Sequence, residues 1–110
     1  MIFDELVRQL KEITGVQFTE YEWKTRPAGN HGTVQLDFEA ADDNGDDRKV
    51  DRAWEGSVDL FTHGKAMMIA AAVETVLENV CSGSWYLNSE QYERETQLVH
   101  REFVFQIEAR

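Results

Sequence analysis

An α+β two-layer domain is the fold class this sequence predicts: a mainly antiparallel sheet of about five strands in the order α-β-β-β-α-β-β, with two helices packed on it. Three observations predict it. Between Trp54 and Cys81 the hydrophobic period changes from two residues to three and four, so a strand runs straight into an Ala-rich helix. A second amphipathic helical pattern opens the chain. Two further alternating stretches, Thr33 to Ala40 and Val99 to Ile107, supply the sheet that both apolar helix faces need.

Taken in order, Ile2, Phe3, Leu6, Val7, Leu10 and Ile13 recur at helical spacing, and Gly15 follows where a helix often ends in a left-handed residue. The first helix is therefore expected over Met1 to Thr14. Val16 to Trp23 mixes β-branched and aromatic residues with polar ones and reads as the first strand. Arg26-Pro27-Ala28-Gly29-Asn30-His31-Gly32 then carries the turn chemistry of a hairpin-type reversal. In the second strand, Thr33 to Ala40, Val34, Leu36, Phe38 and Ala40 point one way and Gln35, Asp37 and Glu39 the other.

Residues Ala41 to Asp51 are too polar to pack and read as a long exposed connection. The third strand, Ala53 to Phe61, places Trp54, Val58 and Leu60 opposite Glu55, Ser57 and Asp59. Thr62 is suited to N-cap the second helix, whose stripe is Ala66, Ile69, Ala70, Val73, Val76, Leu77 and Val80. Ser82-Gly83-Ser84 breaks that pattern. A less regular fourth strand is expected from Trp85 through Tyr92 to Thr96, and a fifth has Val99, Phe103, Phe105 and Ile107 on one face and His100, Glu102, Val104 and Gln106 on the other.

The 110 residues suit one domain, 1–110. No apolar run reaches the ~20 residues of a membrane span, and the acidic start, Met1-Ile2-Phe3-Asp4-Glu5, has no signal-like core, so the product is expected to stay in the cytoplasm where it is made. A net charge of -10 argues against tight binding to nucleic acid or to anionic membranes, both of which call for basic surface. The single cysteine, Cys81, cannot form an internal disulfide and sits at the end of the helix stripe, where a thiol behaves as a small hydrophobe.

Catalytic chemistry finds little to build on. His31, His63 and His100 are scattered, without the spacing of a metal site, and they read respectively as a turn residue, a residue of the second helix's first turn and a strand-surface residue. No serine lies in a nucleophile elbow, and Gly29-Asn30-His31-Gly32 lacks the lysine and the following helix of a phosphate loop. No enzyme activity, cofactor or catalytic residue is expected. The acidic run Asp42, Asp43, Asp46 and Asp47 offers a weak calcium candidate in Asp42, Asn44 and Asp46, but positions six and twelve of an EF-hand loop would fall on Asp47 and Ala53 instead of glycine and glutamate. A solvated acidic loop fits better. Large aromatics are numerous for so small a domain, and Trp23, Tyr86 and Tyr92 are the candidates for an interface, which points to self-association.

The run Glu55-Gly56-Ser57-Val58-Asp59-Leu60-Phe61-Thr62, the helix after it, and Tyr92-Glu93-Arg94-Glu95-Thr96-Gln97-Leu98-Val99-His100-Arg101-Glu102-Phe103 together resemble the tail-terminator, or tail-completion, proteins of long-tailed phages and prophages. The resemblance covers the C-terminal two-thirds of the chain and brings no catalytic motif. It implies a virion structural subunit, made in the host cytoplasm, that forms a homo-oligomeric ring of six, caps the phage tail tube and contacts head-completion proteins. DNA would pass through such a ring, and an acidic subunit would not hold it. Another head–tail joining protein and a small cytoplasmic ligand-binding domain stand as the alternative readings.

Overall fold

A computed structural model describes residues 2–39 and 53–108. The elements follow the expected order: α1 (Ile2–Thr14), β1 (Gln17–Glu20), β2 (His31–Glu39), β3 (Trp54–Thr62), α2 (Met67–Val80), β4 (Trp85–Glu93) and β5 (Leu98–Ile107). The five strands form one sheet in the spatial order β1-β2-β3-β5-β4. β2, β3, β5 and β4 pair antiparallel with their neighbours, and β1 pairs parallel with β2.

The helices share one face of this sheet. Phe3, Leu6, Val7 and Leu10 of α1 and Ala70, Val73, Val76 and Leu77 of α2 form one continuous core with Val34 and Leu36 of β2, Val58 and Leu60 of β3, and Phe103, Phe105 and Ile107 of β5. Side chains on paired antiparallel residues project to the same face, so the pairs Val34–Val58 and Val58–Phe103 line up three strands of apolar residues under the helices. Cys81 lies in the same core, and burial pushes its thiol up to about 12, which keeps it protonated and inert. Ile13, expected in the apolar stripe, is instead exposed: α1 ends one residue later, Gly15 turns left-handed at φ 70°, and the Gly15 N–H closes the helix on the Lys11 carbonyl.

Three local expectations are corrected. The first strand stops at Glu20 instead of Trp23, because Tyr21 turns left-handed (φ 69°), and it pairs parallel to β2. A parallel neighbour cannot be joined by a hairpin, so the proline- and glycine-bearing residues 21–30 form a crossover connection. The second helix starts at Met67, not at a Thr62 cap. Thr62 is the buried last residue of β3 and donates to the Gly64 carbonyl at 3.0 Å, while left-handed Gly64 and Ala66 carry the chain around to the helix. β4 ends at Glu93 and not at Thr96, since residues 94–97 form the turn into β5, closed by the Gln97 N–H on the Glu93 carbonyl at 2.8 Å. Ala40, the acidic run Asp42, Asp43, Asp46 and Asp47, and the calcium candidates including Asn44 lie outside the described residues.

Candidate functional site

Among the described residues, two places bring polar and aromatic side chains together: the sheet face away from the helices, and the start of α2. On the first, three rings stack across neighbouring strands. Phe61 of β3 lies between His31 of β2, at 4.8 Å, and His100 of β5, at 4.3 Å. Register explains the stack, because His31 and His100 are both the Cα partners of Phe61.

The crossover segment folds down over this stack. Trp23 meets His31 edge-on at 6.1 Å and its indole N–H donates to the Gly32 carbonyl at 3.1 Å. The Arg26 guanidinium sits 4.3 Å from the Phe61 ring centroid, a cation–π contact. Arg26 donates from Nε to His31 Nε2 and from Nη2 to Glu93 Oε1, both at 2.9 Å. One arginine thus ties the crossover to the β4–β5 corner.

His31 is fully buried, with Nδ1 donating to the Gly29 carbonyl at 2.7 Å and Nε2 accepting from Arg26, which makes it the neutral tautomer. Burial, helped by the Arg26 charge, lowers its pKa below the ordinary 6.5. Burial alone would raise Glu93, but hydrogen bonds from Thr96 and Arg26 outweigh it and hold the carboxyl below 4.5. His100 Nε2 lies 2.7 Å from Asp59 Oδ1 on the same face. Both ring nitrogens of His31 are taken, so His31 helps clamp the crossover onto the sheet and offers no free ring nitrogen.

At the second place, Arg101 stands on the helix side of β5, opposite Leu60 of β3 and Glu90 of β4. Its side chain is only 3% exposed. Nε donates to Glu90 Oε1 at 2.8 Å, Nη2 reaches the Met67 sulfur at 3.8 Å, and Nη1 is buried without a partner among the described residues. Above it α2 begins without a side-chain cap and without an acidic residue in its first turn. Beside it the helix side of β4 is open: Trp85 packs on the core and donates to Glu78 of α2, but Leu87, Tyr92, Met67 and Met68 are exposed.

Of the aromatics singled out in the sequence, Tyr86 and Tyr92 stand exposed on opposite faces of β4, and Trp23 is half-buried in the clamp. They do not form one patch. His31 starts a strand instead of sitting in a turn, and His63 lies in the bend before α2, outside the helix, where its N–H donates to Asn30 Oδ1 at 2.8 Å. Arg26 and Arg101 were not singled out. For Arg101 a signal existed: the alternation through Val99, Phe103 and Phe105 puts it on the apolar face. Among the described residues no group of His, Cys, Asp or Glu could hold a metal ion, and no helix is long and apolar enough to cross a membrane.

No protein-family model matches the chain, and no curated protein matches it in sequence. Among solved structures it is similar to a chain of the virion of a native gene transfer agent particle, with a TM-score of 0.55 and 13% sequence identity, over 96% of this chain and 88% of that one. At that identity the likeness is one of fold.

Proposed function

We propose that this chain is a virion structural protein of a phage or prophage, and specifically the tail-terminator subunit that assembles into a six-membered ring on the tail tube and joins it to head-completion proteins. The observation that carries the reading is the fold likeness to a chain of a gene transfer agent virion, which extends over 96% of this chain and so involves both helices and the whole sheet. The resemblance in residues 55–62 and 92–103 supports the finer assignment. These residues form β3, the end of β4 and the first half of β5, the middle of the sheet and its edge.

Physical features agree with a protein that works by assembly. Exposed Met67, Met68, Tyr86, Leu87 and Tyr92 supply the apolar and aromatic material of interfaces. A cavity of about 200 Å³ is lined by Trp85, Tyr86, Val104 and Phe105 with Glu55, Ser84 and Gln106, on the β4 edge that carries the exposed Tyr86, Leu87 and Tyr92. In a closed ring identical subunits meet through two different surfaces, so each subunit needs complementary patches.

The test adds purified protein to tail tubes that lack their terminator and images the tube ends by electron microscopy. A ring on the head-proximal tip is the expected result. Bare ends at saturating protein would overturn the terminator assignment and leave another head–tail joining role.

A further inference from the structure

We propose that the cavity at the Trp85 end of the sheet is a socket for Met68 of a second copy of this chain, with Lys65 of that copy set against Glu55 at its rim. The inference rests on the ring assembly proposed above and names one contact between neighbouring subunits.

Strand register builds the socket. Glu55 of β3 is the Cα partner of Gln106, and Tyr86 of β4 that of Val104, two residues away on β5. These four side chains therefore leave the sheet on one face, opposite the one where Phe103 and Phe105 meet the helices. They line the cavity of about 200 Å³, where Val104 is half-buried and Tyr86 is 56% exposed. A cavity of ~150 Å³ already admits a benzene ring, so this one has room for a single unbranched side chain.

The plug stands at the start of α2. Ala70, Val73, Val76 and Leu77 turn inward, whereas Met67 and Met68 are 65% and 88% exposed. Met67 rests its sulfur on Arg101 Nη2 at 3.8 Å, which leaves Met68 as the projecting one. A flexible, polarizable thioether fills irregular gaps, and methionine is enriched at interfaces.

Charge selects the occupant. Glu55 accepts from Gln106 at 3.5 Å and has no cation beside it among the described residues. Lys65, three residues before Met68, is exposed and forms no ion pair among them. Two copies of net charge -10 repel each other, so a contact between them needs a cation against an acidic rim, and Lys65 supplies it. One copy cannot make this contact with itself. From Glu55 to Thr62, the end from which the chain turns into α2, β3 covers about 23 Å, and socket and plug lie on opposite sides of the sheet. Two different surfaces meet, the heterologous geometry that closes a ring when the rotation allows.

The test attaches a nitroxide at Ala71→Cys, an exposed position one turn beyond Met67 and Met68, in the full chain; buried, protonated Cys81 does not react. This chain is mixed at millimolar concentration with the isotope-labelled parent, and NMR follows line broadening at the Tyr86, Val104 and Gln106 amides. Broadening at all three is expected, lost when the nitroxide chain also carries Met68→Glu at an unchanged melting temperature. Lys65→Glu should weaken it roughly threefold, and an isotope-labelled Glu55→Lys chain should restore it. No broadening at these amides, broadening that Met68→Glu leaves intact, or no recovery in the charge swap would overturn the contact. The readout is on the free chain, so broadening beside bare tube ends sinks the terminator reading alone, and rings on tubes without broadening sink this contact alone.

Discussion

Arg26 donates from Nε to Nε2 of His31 at 2.9 Å and thereby holds a buried imidazole in its neutral form beneath the crossover. Since Arg26 also binds Glu93 and covers Phe61, the crossover, the β2–β3 pair and the β4–β5 corner are held by one side chain.

Acid should loosen this clamp. His31 has a folded pKa below its ordinary 6.5, so its contribution to stability is complete above 6.5 and is lost as the pH falls from there through the folded value. Glu93, lowered from 4.5, contributes in the same sense, and its share is lost at still lower pH. The melting temperature should therefore fall on acidification from 6.5 downward. By NMR, His31 should titrate below 6.5, and Arg26→Leu should bring it closer to that value. A His31 titrating at or above 6.5 would contradict the clamp.

Ala70→Asp should bury an unpaired charge between α2 and the rest of the core and cost several kcal/mol, enough to unfold a domain of ordinary stability. Thermal denaturation followed by circular dichroism checks this. A melting point equal to the parent's would mean that the α2 stripe does not face the sheet.

Gly56→Ala should destabilise although it adds one methyl group. A Cβ at this position would overlap the Gln35 carbonyl of β2 and come within 2.6 Å of the Phe105 ring, which lies over the glycine. Neither the backbone nor a buried ring can move freely, so a cost of about 1–3 kcal/mol is expected, seen as a fall of roughly 5–15 °C in melting temperature. Gly29→Ala, where a Cβ meets nothing within 4 Å, is the matched control.

What could be read from residues alone was what depends on one segment at a time. The alternation in β3 and β5 and the Ala70, Val73, Val76 and Leu77 stripe record which side of each element is apolar, and a sheet with helices on one face follows from those patterns. The same reasoning failed at junctions. Thr62 has the chemistry of an N-cap, but its backbone is committed to pairing with Val99 of β5, a partner 37 positions away, and that pairing moves the helix start to Met67.

The candidate sites were less legible. Tyr86 and Tyr92 could be picked out as aromatics, but only strand register shows that they project from opposite faces of β4. Trp23 and Arg26 become a clamp because β1 lies parallel to β2 and forces residues 21–30 across the sheet, where two histidines and Phe61 happen to be in register. Arg101 stood visibly on an apolar face, yet that its Nη1 finds no partner among the described residues depends on how far Glu90 and Met67 reach from two other elements. Periodicity is a local property and can be read one segment at a time. Strand partnership, and with it every polar contact between distant segments, was decided only by the tertiary structure, because it depends on which distant segments the packed core brings side by side.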